Sequence, residues 1–186
     1  LITNDKNRIK SADAIIIPGV GAFDKAMDTL KKKDLIETII TFSKTGKYIL
    51  GICLGMHLIM EYSLEFGKNY GIGLLKGCCN KFDNSKRKVP HIKWNKIFTP
   101  IEESFSIDSP FSSLENGDYM YFIHSYYVIP QKEENILSIT EYEGQKFCSA
   151  IQHRNIIGMQ FHPEKSGPKG LEILMNFKNL VANDTK

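Results

Sequence analysis

Short apolar runs alternate with amphipathic stretches in the first half of the chain. Ile15-Ile16-Ile17 leads into Pro18-Gly19-Val20-Gly21-Ala22-Phe23, and a helical pattern follows from about Asp24 to Leu30. That order predicts a buried strand, a glycine-rich loop and an amphipathic helix. Lys47-Tyr48-Ile49-Leu50-Gly51-Ile52 has no turn residue before Gly51 and predicts a second buried strand. After it Leu54, Leu58, Ile59 and Tyr62 recur at helical spacing, so a helix is expected to begin at Cys53. Residues 156–161 repeat the buried-strand pattern, and His153-Arg154-Asn155 before them reads as a hairpin turn. Between positions 71 and 142 strand-like runs dominate, at 77–82, 94–98, 119–128 and 136–142. The tail, 170–181, puts Leu171, Leu174, Met175, Phe177 and Leu180 on a helical stripe. The alternation predicts an α/β fold with a parallel sheet and a mixed or antiparallel extension. No repeat, low-complexity stretch or linker interrupts the chain, so residues 1–186 are read as one domain.

Composition narrows the classes. At 186 residues and 42% apolar, the chain can fill one core. A net charge of +3 is too mild to argue for nucleic acid. Lys86-Arg87-Lys88 sits beside Asp83-Asn84-Ser85 and reads as a solvated loop. The aromatics Tyr119, Tyr121, Phe122, Tyr126 and Tyr127 lack the basic groove that base stacking needs, and fit strand core and a binding-site rim. Cys53, Cys78, Cys79 and Cys148 have no metal-ligand spacing, so no metal is expected. No run resembles a secretion signal or a membrane span, which makes the cytosol, with reduced thiols, the expected compartment. Pro18-Gly19-Val20-Gly21 lacks the later glycine of a dinucleotide loop and the lysine of a P-loop, so no nucleotide cofactor is expected.

The candidate chemistry lies at two places. Gly51-Ile52-Cys53-Leu54-Gly55 puts a cysteine on a strand-to-helix turn, where flanking glycines leave room for a strained nucleophile. The helix start is expected to favour the thiolate and to offer N–H groups to an oxyanion. Far downstream, Phe161-His162-Pro163-Glu164 supplies an imidazole with a carboxylate two residues on. In extended chain the two would project together. His57, His91, His124 and His153 have no such carboxylate. Cys, His and Glu in this order are a nucleophile, a base and an orienting group for covalent acyl transfer. The glycine-rich loop fits as a further source of oxyanion donors.

Together these stretches resemble the class I (triad-type) glutamine amidotransferases. They are most similar to the glutaminase subunits of imidazole glycerol phosphate synthases. The resemblance also rests on Pro90-His91-Ile92-Lys93-Trp94-Asn95, Tyr121-Phe122-Ile123-His124-Ser125-Tyr126-Tyr127 and Gln160-Phe161-His162-Pro163-Glu164-Lys165-Ser166-Gly167. It implies a flavodoxin-like, mostly parallel sheet flanked by helices. It implies Cys53, His162 and Glu164 as the triad, and Val20 and Leu54 as oxyanion donors. Gly19, Gly21, Gly55, His57, Ser125 and Tyr126 would meet glutamine. Trp94, Asn95, His124 and Lys165 would face a (β/α)8-barrel synthase subunit that receives the ammonia. The product would be imidazole glycerol phosphate together with an aminoimidazole carboxamide ribotide, in histidine biosynthesis.

The chain departs from the family pattern at His57, usually Gln, and at Lys93, usually Gly. Leu1-Ile2-Thr3 matches the family's second strand, so the first βα unit is expected to be missing. The alternatives are a paralogue feeding another amidotransfer, such as surface-sugar amidination, a cysteine peptidase or hydrolase, and an inactive binding module.

Overall fold

The computed structural model describes residues 1–100 and 108–184. The first regular element is α1 (Lys6–Ser11), capped by the Asp5 carboxylate on the N–H groups of Asn7 and Arg8. It is followed by β1 (Ile15–Gly19), α2 (Phe23–Lys32), α3 (Ile36–Ser43), β2 (Ile49–Cys53) and α4 (Leu54–Leu58). Next come β3 (Met60–Ser63), β4 (Asn69–Tyr70), β5 (Leu75–Lys81), β6 (His91–Lys96), β7 (Tyr119–His124) and β8 (Tyr126–Pro130). The chain closes with β9 (Ile136–Tyr142), β10 (Gln145–His153), β11 (Ile156–Met159) and α5 (Gly167–Asp184).

The main sheet runs β1-β2-β11-β10-β8-β5-β3-β4, with β9 also on β10. β1, β2 and β11 are parallel neighbours, as are β3 and β5, and the remaining pairings are antiparallel. The mixed extension is therefore the larger part of the sheet. β6 and β7 form a separate two-stranded ribbon.

Adjacent residues of β2 enter different cores. Ile49 packs with Ile9, Phe23, Met27, Ile39 and Phe42 from α1, α2 and α3. Leu50 packs with Phe122, Phe161, Ile173 and Phe177, the last two from α5. A strand buried on both faces needs apolar residues without alternation, which is why residues 47–52 read as a continuous run.

Three expectations are corrected. Leu1, Ile2 and Thr3 are exposed and join no strand, since they have no ladder partner. The helix after Cys53 stops at Leu58, and Tyr62 lies in β3. There the Ile59 and Met60 carbonyls accept from Leu75 and Gly73, so strand pairing overrides helical periodicity. The run 119–128 is two strands in different sheets, broken at Ser125, whose carbonyl accepts from Phe82. The hairpin turn at 153–155 is present, with Arg154 at φ 53° and His153 opposite Ile156.

Candidate active site

The three parallel strands end together. Register sets Gly19 opposite Cys53 and Met159 opposite Ile52, so the Gly19–Gly21 loop, Cys53 and the segment 160–162 converge at their carboxyl ends. That end of a parallel α/β sheet is where ligand sites form.

Cys53 sits at φ 53° and ψ −108°, a conformation L-residues rarely adopt and one that stores roughly 1–3 kcal/mol. The flanking glycines are required sterically. A Cβ on Gly55 would lie 1.7 Å from the Ile17 carbonyl oxygen, and one on Gly51 would lie 2.7 Å from Gly55 backbone. These contacts let α4 start hard against β1 and turn the sulfur out of the strand. Gly55 therefore serves packing and lines neither of the two cavities at this end of the sheet.

Cys53 opens on a cavity of about 350 Å³ shared with Val20, Gly21, Leu54, His57, Ser125 and Tyr126. A second cavity, about 250 Å³, is lined by Gly19, Val20, His162 and Glu164. Val20, 78% exposed, lies between the two.

Burial pushes the Cys53 thiol up to about 11, against the Leu54 backbone N–H and the Gln160 amide, which favour the thiolate. The N–H at the helix start favours the thiolate, as expected, but burial outweighs it and leaves the thiol as the dominant form at neutral pH. The sulfur lies 3.9 Å from the Ile123 carbonyl and 3.8 Å from Gln160 Nε2.

The His162 Nδ1–H donates to Glu164 Oε1 at 2.7 Å. Extended chain does not account for this contact. Pro163–Lys165 form a 3-10 turn that brings the carboxylate back to the ring. The tautomer leaves Nε2 as the acceptor. Nε2 is buried and has no hydrogen-bond partner among the described residues, so no bond joins it to Cys53 in this state. The backbone of His162 is clamped. Its N–H donates to the Tyr121 carbonyl, and its own carbonyl accepts from Ser166 Oγ at 2.6 Å, which in turn accepts from the Tyr121 N–H.

Asn95 Nδ2, His91, His124 and the Tyr126 carbonyl form a chain whose direction is forced. The Tyr126 carbonyl only accepts, so His124 carries its proton on Nδ1 (2.8 Å). His124 Nε2 then accepts from His91 Nδ1 (3.0 Å), and His91 Nε2 accepts from Asn95 (3.3 Å). Both rings are neutral. Burial, then the nearby Lys93 charge, lowers His91 to about 4, and burial holds His124 well below the usual imidazole range. His91 is stacked between Phe122 and Tyr142.

His124, expected on the partner surface, is buried and lines the Cys53 cavity. Trp94 is 46% exposed, Asn95 is half-buried and Lys165 is exposed. Two residues that sequence reasoning missed also stand here. Glu65 is the one carboxylate among the described residues that line the Cys53 cavity, and it accepts from the Phe23 N–H. Gln160 is fully buried between His57 and the sulfur. A polar residue inside the apolar run 156–161 was the available signal for Gln160; nothing in the sequence marks Glu65.

The profile of the class-I glutamine amidotransferase family matches residues 2–180. The chain belongs to the class-I glutamine amidotransferases. Among curated relatives, it is 45% identical over 181 residues to imidazole glycerol phosphate synthase subunit HisH of Sulfurimonas denitrificans, covering 95% of this chain and 84% of that protein. It is 43% identical over 180 residues to the protein of the same name from Pyrococcus furiosus, covering 96% and 88%. A glutamine amidotransferase of known crystal structure shares the fold of this class-I amidotransferase with a TM-score of 0.71 at 13% identity, covering 97% and 85% of the two chains. The crystal structure of a glutamine amidotransferase from Thermotoga maritima does so with a TM-score of 0.60 at 14% identity, covering 94% and 66%. Among the described residues, no helix of this amidotransferase is long and apolar enough to cross a membrane.

Proposed function

We propose that this chain is the glutaminase subunit of an imidazole glycerol phosphate synthase. It hydrolyses glutamine to glutamate and ammonia for histidine biosynthesis, working beside the synthase that consumes the ammonia. The observation that carries the chemistry is the Nδ1–H of His162 held on Glu164, with an unpartnered Nε2 next to the loop that borders Cys53. The pathway follows from relatives above 40% identity, which are named as this subunit.

The sulfur starts as a neutral thiol, so attack on the glutamine side-chain amide requires a base. His162 Nε2 takes the proton from Sγ as the C–S bond forms, and then gives it to the departing ammonia. Glu164 stabilises the imidazolium in between. Backbone N–H groups of Val20 and Leu54 meet the oxyanion. Water then splits the glutamyl thioester by the reverse proton path. Glu65 suits the α-ammonium of glutamine, because it supplies the negative charge in the cavity.

The partner is assigned to the outer face of the ribbon. Ile92, Trp94, Tyr119 and Ile123 are all at least 39% exposed and stand together across β6 and β7. An apolar patch of this kind marks a docking surface. Ile123 belongs both to it and to the Cys53 cavity, which sets the ammonia source beside the docking face. A (β/α)8-barrel protein, with Trp94 and Lys165 at the contact, is the partner proposed. Asn95 lies on the opposite face of β6, its amide held by His91 and the Glu141 carbonyl.

The test is glutamate release from glutamine with and without the synthase partner and its nucleotide ligand. Cys53→Ala should reduce it by several orders of magnitude, and a glutamine-analogue electrophile should label Cys53 alone. Equal labelling of Cys53, Cys78, Cys79 and Cys148, or full activity in Cys53→Ala, would remove the assignment.

A further inference from the structure

We infer that Gln160 is a positioning residue for the Cys53 sulfur, and that His57 decides which end of the Gln160 carboxamide faces it. The inference rests on Cys53 being the nucleophile. Gln160 follows β11 and is fully buried, with its backbone N–H on the Ser149 carbonyl. Its side chain bridges two groups more than 100 positions upstream: Oε1 lies 2.7 Å from His57 Nε2, and Nε2 lies 3.8 Å from Cys53 Sγ. His57 is on α4, one turn beyond Cys53, and is itself buried.

The two ends of a carboxamide have nearly the same shape but opposite hydrogen-bonding sense. With the N–H end toward sulfur, Gln160 donates to the thiolate that forms when His162 takes the proton. With the carbonyl toward sulfur, it sets an acceptor against that thiolate. Local shape does not choose between them; the partner at the far end does. Burial keeps the His57 imidazole neutral, so it carries a single N–H. Gln160 Oε1 only accepts, so that proton belongs on Nε2. A donor fixed there holds the carbonyl end away from the sulfur. The hydrogen bond also polarises the amide and strengthens its N–H groups as donors.

A glutamine amide at position 57 can supply the same donor to Oε1, so the device is consistent with either histidine or glutamine there, and leucine removes it.

Iodoacetamide alkylation of Cys53, followed by mass spectrometry without glutamine present, separates this role from contact with substrate. His57→Leu should slow alkylation by about tenfold near pH 8, because the thiolate loses an oriented donor. kcat should fall by a similar factor with KM nearly unchanged. His57→Gln should restore both to within about twofold. Gln160→Leu should match His57→Leu, and the double variant should be no slower than either, since both act through one contact. In the unsubstituted protein, nitrogen-15 NMR should find His57 as the Nε2–H tautomer, a reading that does not depend on any variant folding. An Nδ1–H tautomer would overturn the inference. So would unchanged alkylation in His57→Leu with only KM raised, which would make His57 a substrate contact. These readouts follow the sulfur itself and remain decisive even if glutamine proves not to be the substrate.

Discussion

Mild acid should destabilise this protein through its buried neutral imidazoles. His91 gives the sharpest case. It is wholly inaccessible, stacked between Phe122 and Tyr142, and must accept at Nε2 from Asn95 while donating from Nδ1 to His124. Burial, reinforced by the Lys93 charge, lowers it from 6.5 to about 4. The folded ring therefore binds a proton more weakly than the unfolded one. Between those two values the unfolded chain holds more protons, so stability is whole above about pH 6.5 and is lost as pH falls toward 4. Going from about pH 7.5 to about pH 5, this ring alone removes up to about 2 kcal/mol. His57 and His124, both lowered first by burial, act in the same direction. Surface carboxyls such as Asp34, held low first by its hydrogen bond to Lys6, respond only further into acid, so this window isolates the histidines. Urea unfolding at the two pH values should show a midpoint lower by about 1 M in acid. Nitrogen-15 NMR should find His91 still neutral at about pH 5.5, with the proton on Nδ1. A midpoint that does not move, or a His91 titration near its unperturbed value, would refute the reasoning.

Three further outcomes follow from the elbow, from a turn glycine that serves as its control, and from the proposed triad. Gly55→Ala should cost more than about 4 kcal/mol or prevent folding, because its Cβ falls on the Ile17 carbonyl. Gly46→Ala, at φ 85° in open space, should cost only about 1 kcal/mol in the same denaturation series. Glu164→Gln should lower kcat at least on the order of a hundredfold with little change in KM, since it removes the charge that steadies the imidazolium; a silent variant would end the orienting role of Glu164.

What the sequence disclosed and what it withheld divide along a physical line. Cys53, His162 and Glu164 stand in motifs because each needs its own local backbone: an elbow that only Gly51 and Gly55 permit, and a Pro163 turn that returns Glu164 to the ring. Constraints of that kind leave marks on neighbouring residues, so the marks can be read. The strands β2 and β11 were legible for a similar reason, since burial on both faces excludes polar residues from a whole run. β1 was also expected to be buried, but it ends the sheet order and alternates between half-buried and exposed residues, with Ile16 49% exposed. β10 was missed because Gln145 and Lys146 precede its apolar stretch, and its pairing with β8, β9 and β11 lies in partners far along the chain. The 119–128 run hid a change of sheet, because it holds no Gly or Pro at the break and the partners of its two halves, β6 for β7 and β5 and β10 for β8, lie elsewhere in the chain. The polar supports of the sulfur were hidden in the same way. His57 and Gln160 are 103 positions apart, and neither constrains the residues around the other. Yet Gln160 was an anomaly in plain view, a carboxamide inside the apolar run 156–161, just past the end of β11. Burying it costs roughly 1–3 kcal/mol unless both ends are satisfied. In this fold the two groups that satisfy it are His57 and the Cys53 sulfur, so the misfit in the hydrophobic pattern pointed at the candidate active site.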